Sequence, residues 1–131
     1  RAYGADLVLL IVAALSKSQL KDYFDLAGEL GMSALVEIHT ADELERAMEI
    51  SPQLIGVNSR NLKTLEVNQE SFAQLLPQIP EQITRVAESG ISSRREVEFA
   101  QSYGANAILV GEALVTSGDP KLAMRALLGK G

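Results

Sequence analysis

Three polar side chains interrupt apolar runs that otherwise read as buried strands. They are Glu37 in Leu35-Val36-Glu37-Ile38, Asn58 in Gly56-Val57-Asn58-Ser59-Arg60, and Glu88 in Val86-Ala87-Glu88-Ser89-Gly90. A carboxylate inside an apolar strand is costly to bury unless it is paired or protonated. Glu37 shares the face of Leu35 by strand alternation and therefore points inward. Burial of such a group favours its protonated form and suits it to proton transfer; the competing role is a structural carboxylate paired with Arg60 or a lysine. Asn58 can hold a substrate hydroxyl or orient Glu37, and equally can serve a turn. Arg60 offers a bidentate fork to a planar carboxylate, or is a solvated loop residue. His39, after Ile38, reads as a capping or surface residue rather than as a second proton carrier.

A second set of residues points to an anion. Val86–Ile91 and Ile108-Leu109-Val110-Gly111-Glu112 are apolar strands that end abruptly at a glycine followed by helical sequence. Neighbouring parallel strands ending this way present backbone N–H groups side by side, and helix N-termini favour negative charge. In a (β/α)8 barrel this is the phosphate site after the last two strands. Either glycine alone reads as an ordinary tight connection; the tandem favours phosphate. Leu9, Ile11 and Leu109 form an apolar wall for an aromatic ligand or simply fill the core.

The elements that must carry these residues alternate. Strands are expected over Asp6–Val12, Ala34–Ile38, Leu54–Val57, Thr84–Ala87 and Ala107–Val110, with the continuous apolar character of strands buried on both faces. Ser16 or Ser18 caps a helix carrying Leu20, Tyr23, Phe24, Ala27 and Leu30 and ending at Gly31. Thr40 with Glu43 forms a capping box ahead of Leu44, Ala47 and Met48. A helix opening near Asn68 or Gln69 stops at Pro77 and Pro80, Ser92 or Ser93 caps the next, and Asp119-Pro120 starts the last. The β-α order, repeated five times, predicts an α/β fold with a parallel sheet and right-handed crossovers, either doubly wound or part of a (β/α)8 barrel. No G-x-G-x-x-G follows the first strand, which disfavours dinucleotide binding.

The 131 residues read as one domain, with 12 Lys+Arg against 17 Asp+Glu and a net charge of −5. An acidic chain without a basic stripe is a poor nucleic-acid binder, although Arg60 and Lys63 could serve one small anionic ligand. Lack of cysteine excludes disulfides and thiolate chemistry, and a single histidine excludes a multi-histidine metal site, so no metal is expected. Leu7–Leu15 follows Asp6, lacks a basic leader and is too short to span a bilayer; no membrane association and a cytoplasmic location are expected.

At Val8–Val12, Leu35–His39, Ile55–Thr64, Ala87–Ile91 and Leu109–Glu112 the chain resembles indole-3-glycerol-phosphate synthase, over strands four to eight of that barrel. The Asn-Ser-Arg-Asn-Leu-Lys-Thr and Glu-Ser-Gly-Ile segments together carry the specificity. The resemblance implies a TIM-barrel lyase of tryptophan biosynthesis, free of cofactors. It would close the indole ring of 1-(2-carboxyphenylamino)-1-deoxyribulose 5-phosphate with loss of carbon dioxide and water. It further implies that Glu37 transfers the proton and Asn58 orients the substrate. Arg60 would organise the site around the anthranilate carboxylate, and Glu88 would complete the polar network. Ser89, Gly90, Gly111 and Glu112 would cradle phosphate through backbone N–H groups, and Leu9 and Leu109 would line the aromatic pocket.

The family's first three strands supply a Lys-Lys-Ala-Ser-Pro-Ser type motif and a further lysine as general acid, and neither occurs here. Arg1-Ala2-Tyr3-Gly4-Ala5 reads like a helix end, as Ser102-Tyr103-Gly104-Ala105 does before the last strand. The chain is therefore expected to be a (βα)5 partial barrel, inactive or nearly so by itself. Its two edge strands and apolar inner face should drive self-association or pairing with the missing N-terminal units. The rivals are another phosphate-binding barrel enzyme, such as a phosphoribosylanthranilate isomerase relative, and a non-catalytic half-barrel module.

Overall fold

The computed structural model describes residues 2–61 and 64–130. Leu62 and Lys63 of the family-like segment lie outside the described residues, and with them the expectation that Lys63 serves an anion.

Five parallel strands form one open sheet in chain order: β1 (Leu7–Ile11), β2 (Ser33–Ile38), β3 (Leu54–Asn58), β4 (Thr84–Glu88) and β5 (Ala107–Leu109). The helices between them are α1 (Lys17–Glu29), α2 (Ala41–Met48), α3 (Glu70–Leu75) and α4 (Arg94–Ser102), with α5 (Glu112–Val115) and α6 (Pro120–Leu127) after β5. The expected alternation holds, with short additions: a 3-10 turn over Val12–Ala14 after β1, another over Leu76–Gln78 after α3, and α5. Helical sequence after Gly111 is expected, but no helix can be bounded there from the sequence, because α5 is a single turn too short to show a periodic apolar stripe.

Local chemistry explains most boundaries. Ser16 caps α1 in a reciprocal box with Gln19. The Glu96 carboxylate accepts the backbone N–H groups of Ser92 and Ser93 at 2.7 and 2.8 Å, opening α4, and Asp119 accepts from Leu122 N–H ahead of Pro120. The box expected at α2 forms differently. Thr40 accepts from Glu43 N–H, but the Glu43 carboxylate takes the N–H of His39, one residue before the cap.

One face of the sheet packs on the helices and carries the core: Leu10, Val36, Ile38, Ile55, Val57 and Ala87 meet Leu20, Leu44, Phe72, Val97 and Ala100. On the opposite face the parallel register sets two rows near the carboxyl ends of the strands. Ile11, Glu37, Gly56, Val86 and Ala107 form the first; Asn58, Glu88 and Leu109 form the second. The inner face was expected to lie open to water. It does so only at the edges, where Leu9 is 42% and Leu109 50% exposed, whereas Leu35 and Val86 on the middle strands are buried. Sheet twist brings inward side chains of adjacent strands over one another.

Candidate active site

Glu37, Asn58 and Glu88 lie at or one residue from the carboxyl ends of three adjacent strands, on the same face, and all three are buried, at 3%, 9% and 3% exposure. Asn58 Nδ2 donates to Glu37 Oε1 at 3.1 Å, while Asn58 Oδ1 accepts the N–H of Arg60 at 2.9 Å. The amide is thereby fixed with its donor toward the carboxylate. Glu88 is pushed up to about 8, chiefly by burial, then by the charge of Glu37 and a hydrogen bond with it. Two carboxylates in one dry spot cannot both ionise cheaply, so the pair holds a proton near neutral pH. The Oε1 atom of Glu88 has no hydrogen-bond partner among the described residues.

β3 lies between the strands carrying the two carboxyl groups, and the side chain missing at Gly56 is what lets them meet. A Cβ built at Gly56 would overlap the Glu88 carboxyl group. Sequence reasoning quoted Gly56 without assigning it a role. Its signal was a glycine inside a strand, which marks a close approach of neighbouring groups.

Next to this cluster a cavity of about 850 Å³ is lined by Arg60, Glu88, Ser89, Gly90, Leu109, Gly111 and Glu112, with Gln69 and Ala113. Seven of the ten expected site residues therefore share one mouth. Its rim after β4 is held by two pins: Ser59 Oγ donates to the Ser89 carbonyl at 3.1 Å, and Gln69 Nε2 to the Gly90 carbonyl at 2.6 Å. Ser89 and Gly90 both have left-handed backbone, at φ 65° and 64°, a strained conformation for a serine of the kind that collects at functional sites. After β5, Gly111 caps α5, whose first turn cannot satisfy the N–H groups of Glu112 and Ala113. The two glycines differ. A Cβ at Gly90 would collide with Val67, whereas one at Gly111 meets nothing within 4 Å, so of these two rim positions the fold demands glycine at Gly90 alone.

Arg60 reaches across the mouth. Its Nη2 lies 2.9 Å from Glu112 Oε2 and its Nη1 donates to the Leu65 carbonyl at 3.3 Å. The Glu112 side chain is 79% exposed, so this ion pair is weak and exchangeable for another anion. Leu9 stands apart from Leu109: it lines a separate apolar cavity of about 440 Å³ beside α1, with Tyr23 and Leu26. The two halves of the expected aromatic wall lie on opposite edges of the sheet and share no cavity among the described residues. Among those residues no group of His, Cys, Asp and Glu is arranged to hold a metal, and no helix is long and apolar enough to cross a membrane.

The sequence pattern of the family described as indole-3-glycerol phosphate synthase matches residues 1–127. The chain belongs to this family. Named indole-3-glycerol phosphate synthases from Kineococcus radiotolerans and Rhodococcus opacus are 52% and 50% identical to it, each aligned over 100% of this chain. That alignment takes in 48% and 49% of those proteins, so the chain spans about half the length of the curated relatives it matches. Solved structures with the same fold include a thiamine phosphate pyrophosphorylase from Pyrococcus furiosus and a 3-hexulose-6-phosphate synthase from Salmonella typhimurium. The first has a TM-score of 0.77 at 18% identity, covering 98% of this chain and 60% of that one. The second has a TM-score of 0.76 at 16% identity, covering 99% and 65%. Indole-3-glycerol phosphate synthases are carboxy-lyases of tryptophan biosynthesis built on the TIM barrel, and the sheet here follows that fold over five β/α units.

Proposed function

We propose that this chain forms the last five β/α units of an indole-3-glycerol phosphate synthase. It would act on 1-(2-carboxyphenylamino)-1-deoxyribulose 5-phosphate, closing the indole ring with loss of carbon dioxide and water. The observation that carries this reading is the buried Glu37–Asn58–Glu88 cluster opening beside the pinned Ser89-Gly90 rim and the first turn of α5. Glu37 transfers the proton, held by the Asn58 amide; Glu88 stores the shared proton. Ser89, Gly90, Gly111 and Glu112 receive the phosphate through backbone N–H groups, as the free first-turn donors of α5 favour. Arg60 exchanges Glu112 for the substrate carboxylate, and Leu9 and Leu109 contribute apolar edges of the ring pocket.

Ring closure requires an acid to protonate the carbonyl under attack, and no lysine lines the cavity among the described residues. That acid is assigned to the units outside these 131 residues, for which relatives about twice as long leave room. Residues 1–131 alone are inactive or nearly so and associate with themselves or with those units, in the cytoplasm. The test is indoleglycerol-phosphate formation by the protein carrying this chain, with and without Glu37→Gln. The expected loss is roughly 10²–10⁴-fold, the usual worth of a general acid–base group. Wild-type turnover by the variant would remove Glu37 from the mechanism.

A further inference from the structure

His39 is the single histidine of the chain, and its surroundings do not match the capping or surface role read from the sequence. Its side chain is only 13% exposed and lies between two carboxyl groups, with Nε2 3.6 Å from Glu37 Oε1 and Nδ1 3.5 Å from Glu43 Oε2. Neither ring nitrogen has a hydrogen-bond partner among the described residues, although buried polar atoms are almost always paired. Capping does not require the ring. The Glu43 carboxylate already accepts His39 N–H at 2.6 Å, and Thr40 supplies the hydroxyl cap. His39 also lines a second cavity, of about 470 Å³, with Glu43, Asn58 and Glu66; Glu37 does not line it.

The geometry points to His39 as a positioning residue that passes protons between Glu37 and this second cavity. The inference rests on the reading of Glu37 as the proton-transferring group. A base that has taken a proton from substrate must lose it before the next turnover, and Glu37 is nearly sealed from water. In the return step the Glu37 O–H bond breaks as Nε2 takes the proton, and the Nδ1–H bond breaks as Glu43 or a water in the cavity receives one. Two protons each shift by one bond, so one proton is exported net. The ring is left protonated at Nε2 rather than Nδ1 and re-tautomerises through water before the next turnover, and no electrons change hands. Distances of this length contract in working complexes. Among the described residues the charged groups nearest the ring are Glu37 from β2 and Glu43 from α2, with Glu66 lining the same cavity and Glu88 from β4 packed behind Glu37. These acidic neighbours favour a proton in passage over the ring, although Glu88, protonated below about pH 8, adds no charge of its own.

The test is steady-state ring closure by the protein carrying this chain. His39→Ala should lower kcat roughly tenfold or more with KM within about twofold, flatten the acid limb of the kcat–pH profile, and recover with added imidazole. Glu37→Gln should lose activity without recovery. Wild-type kcat in His39→Ala, or a loss that imidazole leaves untouched in a natively melting variant, overturns the relay. If His39→Ala does not fold, His39→Gln keeps the polar contacts without the relay, and unchanged kcat there overturns it equally. Failure of the wild type to close the ring would instead sink the functional reading. The relay would still be decided by the ring ¹⁵N resonances of His39, which must move in Glu37→Gln; unmoved resonances refute it.

Discussion

Glu37 and Glu88 meet in a place where water cannot stabilise two charges, and Glu88 consequently keeps its proton up to about pH 8. The native state thus binds a proton that the unfolded chain releases above the ordinary carboxylate pKa. The stabilising contribution is complete below that pKa and is lost as pH rises toward 8. Glu88→Gln imitates the protonated form and has nothing to release. In thermal melts of the protein carrying this chain, variant and wild type should match near pH 5, and the variant should melt several degrees higher near pH 8. Parallel melting curves would show that Glu88 is not protonated in the native site. Which carboxyl holds the proton was not legible in the sequence: Glu37 and Glu88 both sit in apolar strands, and only their packing separates them.

At the level of elements, β3 does its main service by lacking a side chain. Gly56→Ala places a methyl group where the Glu88 carboxyl lies. The group in the way is the far end of a flexible side chain, so the fold should survive while the proton-sharing pair separates. In the protein carrying this chain, ring closure by Gly56→Ala should fall at least tenfold with a native circular-dichroism spectrum; unaltered kcat would show that the pair is dispensable. The element plan itself was readable, because capping residues such as Ser16, Ser93 and Asp119 act within one turn of their own position. The helix α5 was not, because its four residues carry no periodic signal and its first turn matters only through the cavity it meets. The two rim glycines looked equivalent in sequence. Gly90 is required by its left-handed backbone and the nearness of Val67, whereas Gly111 borders open space.

For the whole molecule, the decisive feature is an open sheet. β1 and β5 each pair on one side among the described residues, and Leu7, Leu9 and Leu109 are exposed on the inner face. Unpaired strand edges beside apolar surface favour further pairing. Residues 1–131 at micromolar concentration should scatter light as a dimer or larger, and should become monodisperse with activity when the remaining barrel units are supplied. A well-folded monomer that does not respond to those units would refute this. From the sequence alone came the α/β alternation, the family, and the polar residues at strand ends, because strand period, caps and motif spacing are written in neighbouring positions. Only the tertiary structure decided that Gly56 lets Glu88 reach Glu37, that Arg60 spans to Glu112, and that His39 stands between two carboxyl groups. The first two contacts join residues far apart in the chain and depend on strand register or on how an element packs against the sheet. The His39 neighbours are close in sequence, and only the burial of that turn shuts the ring away from water.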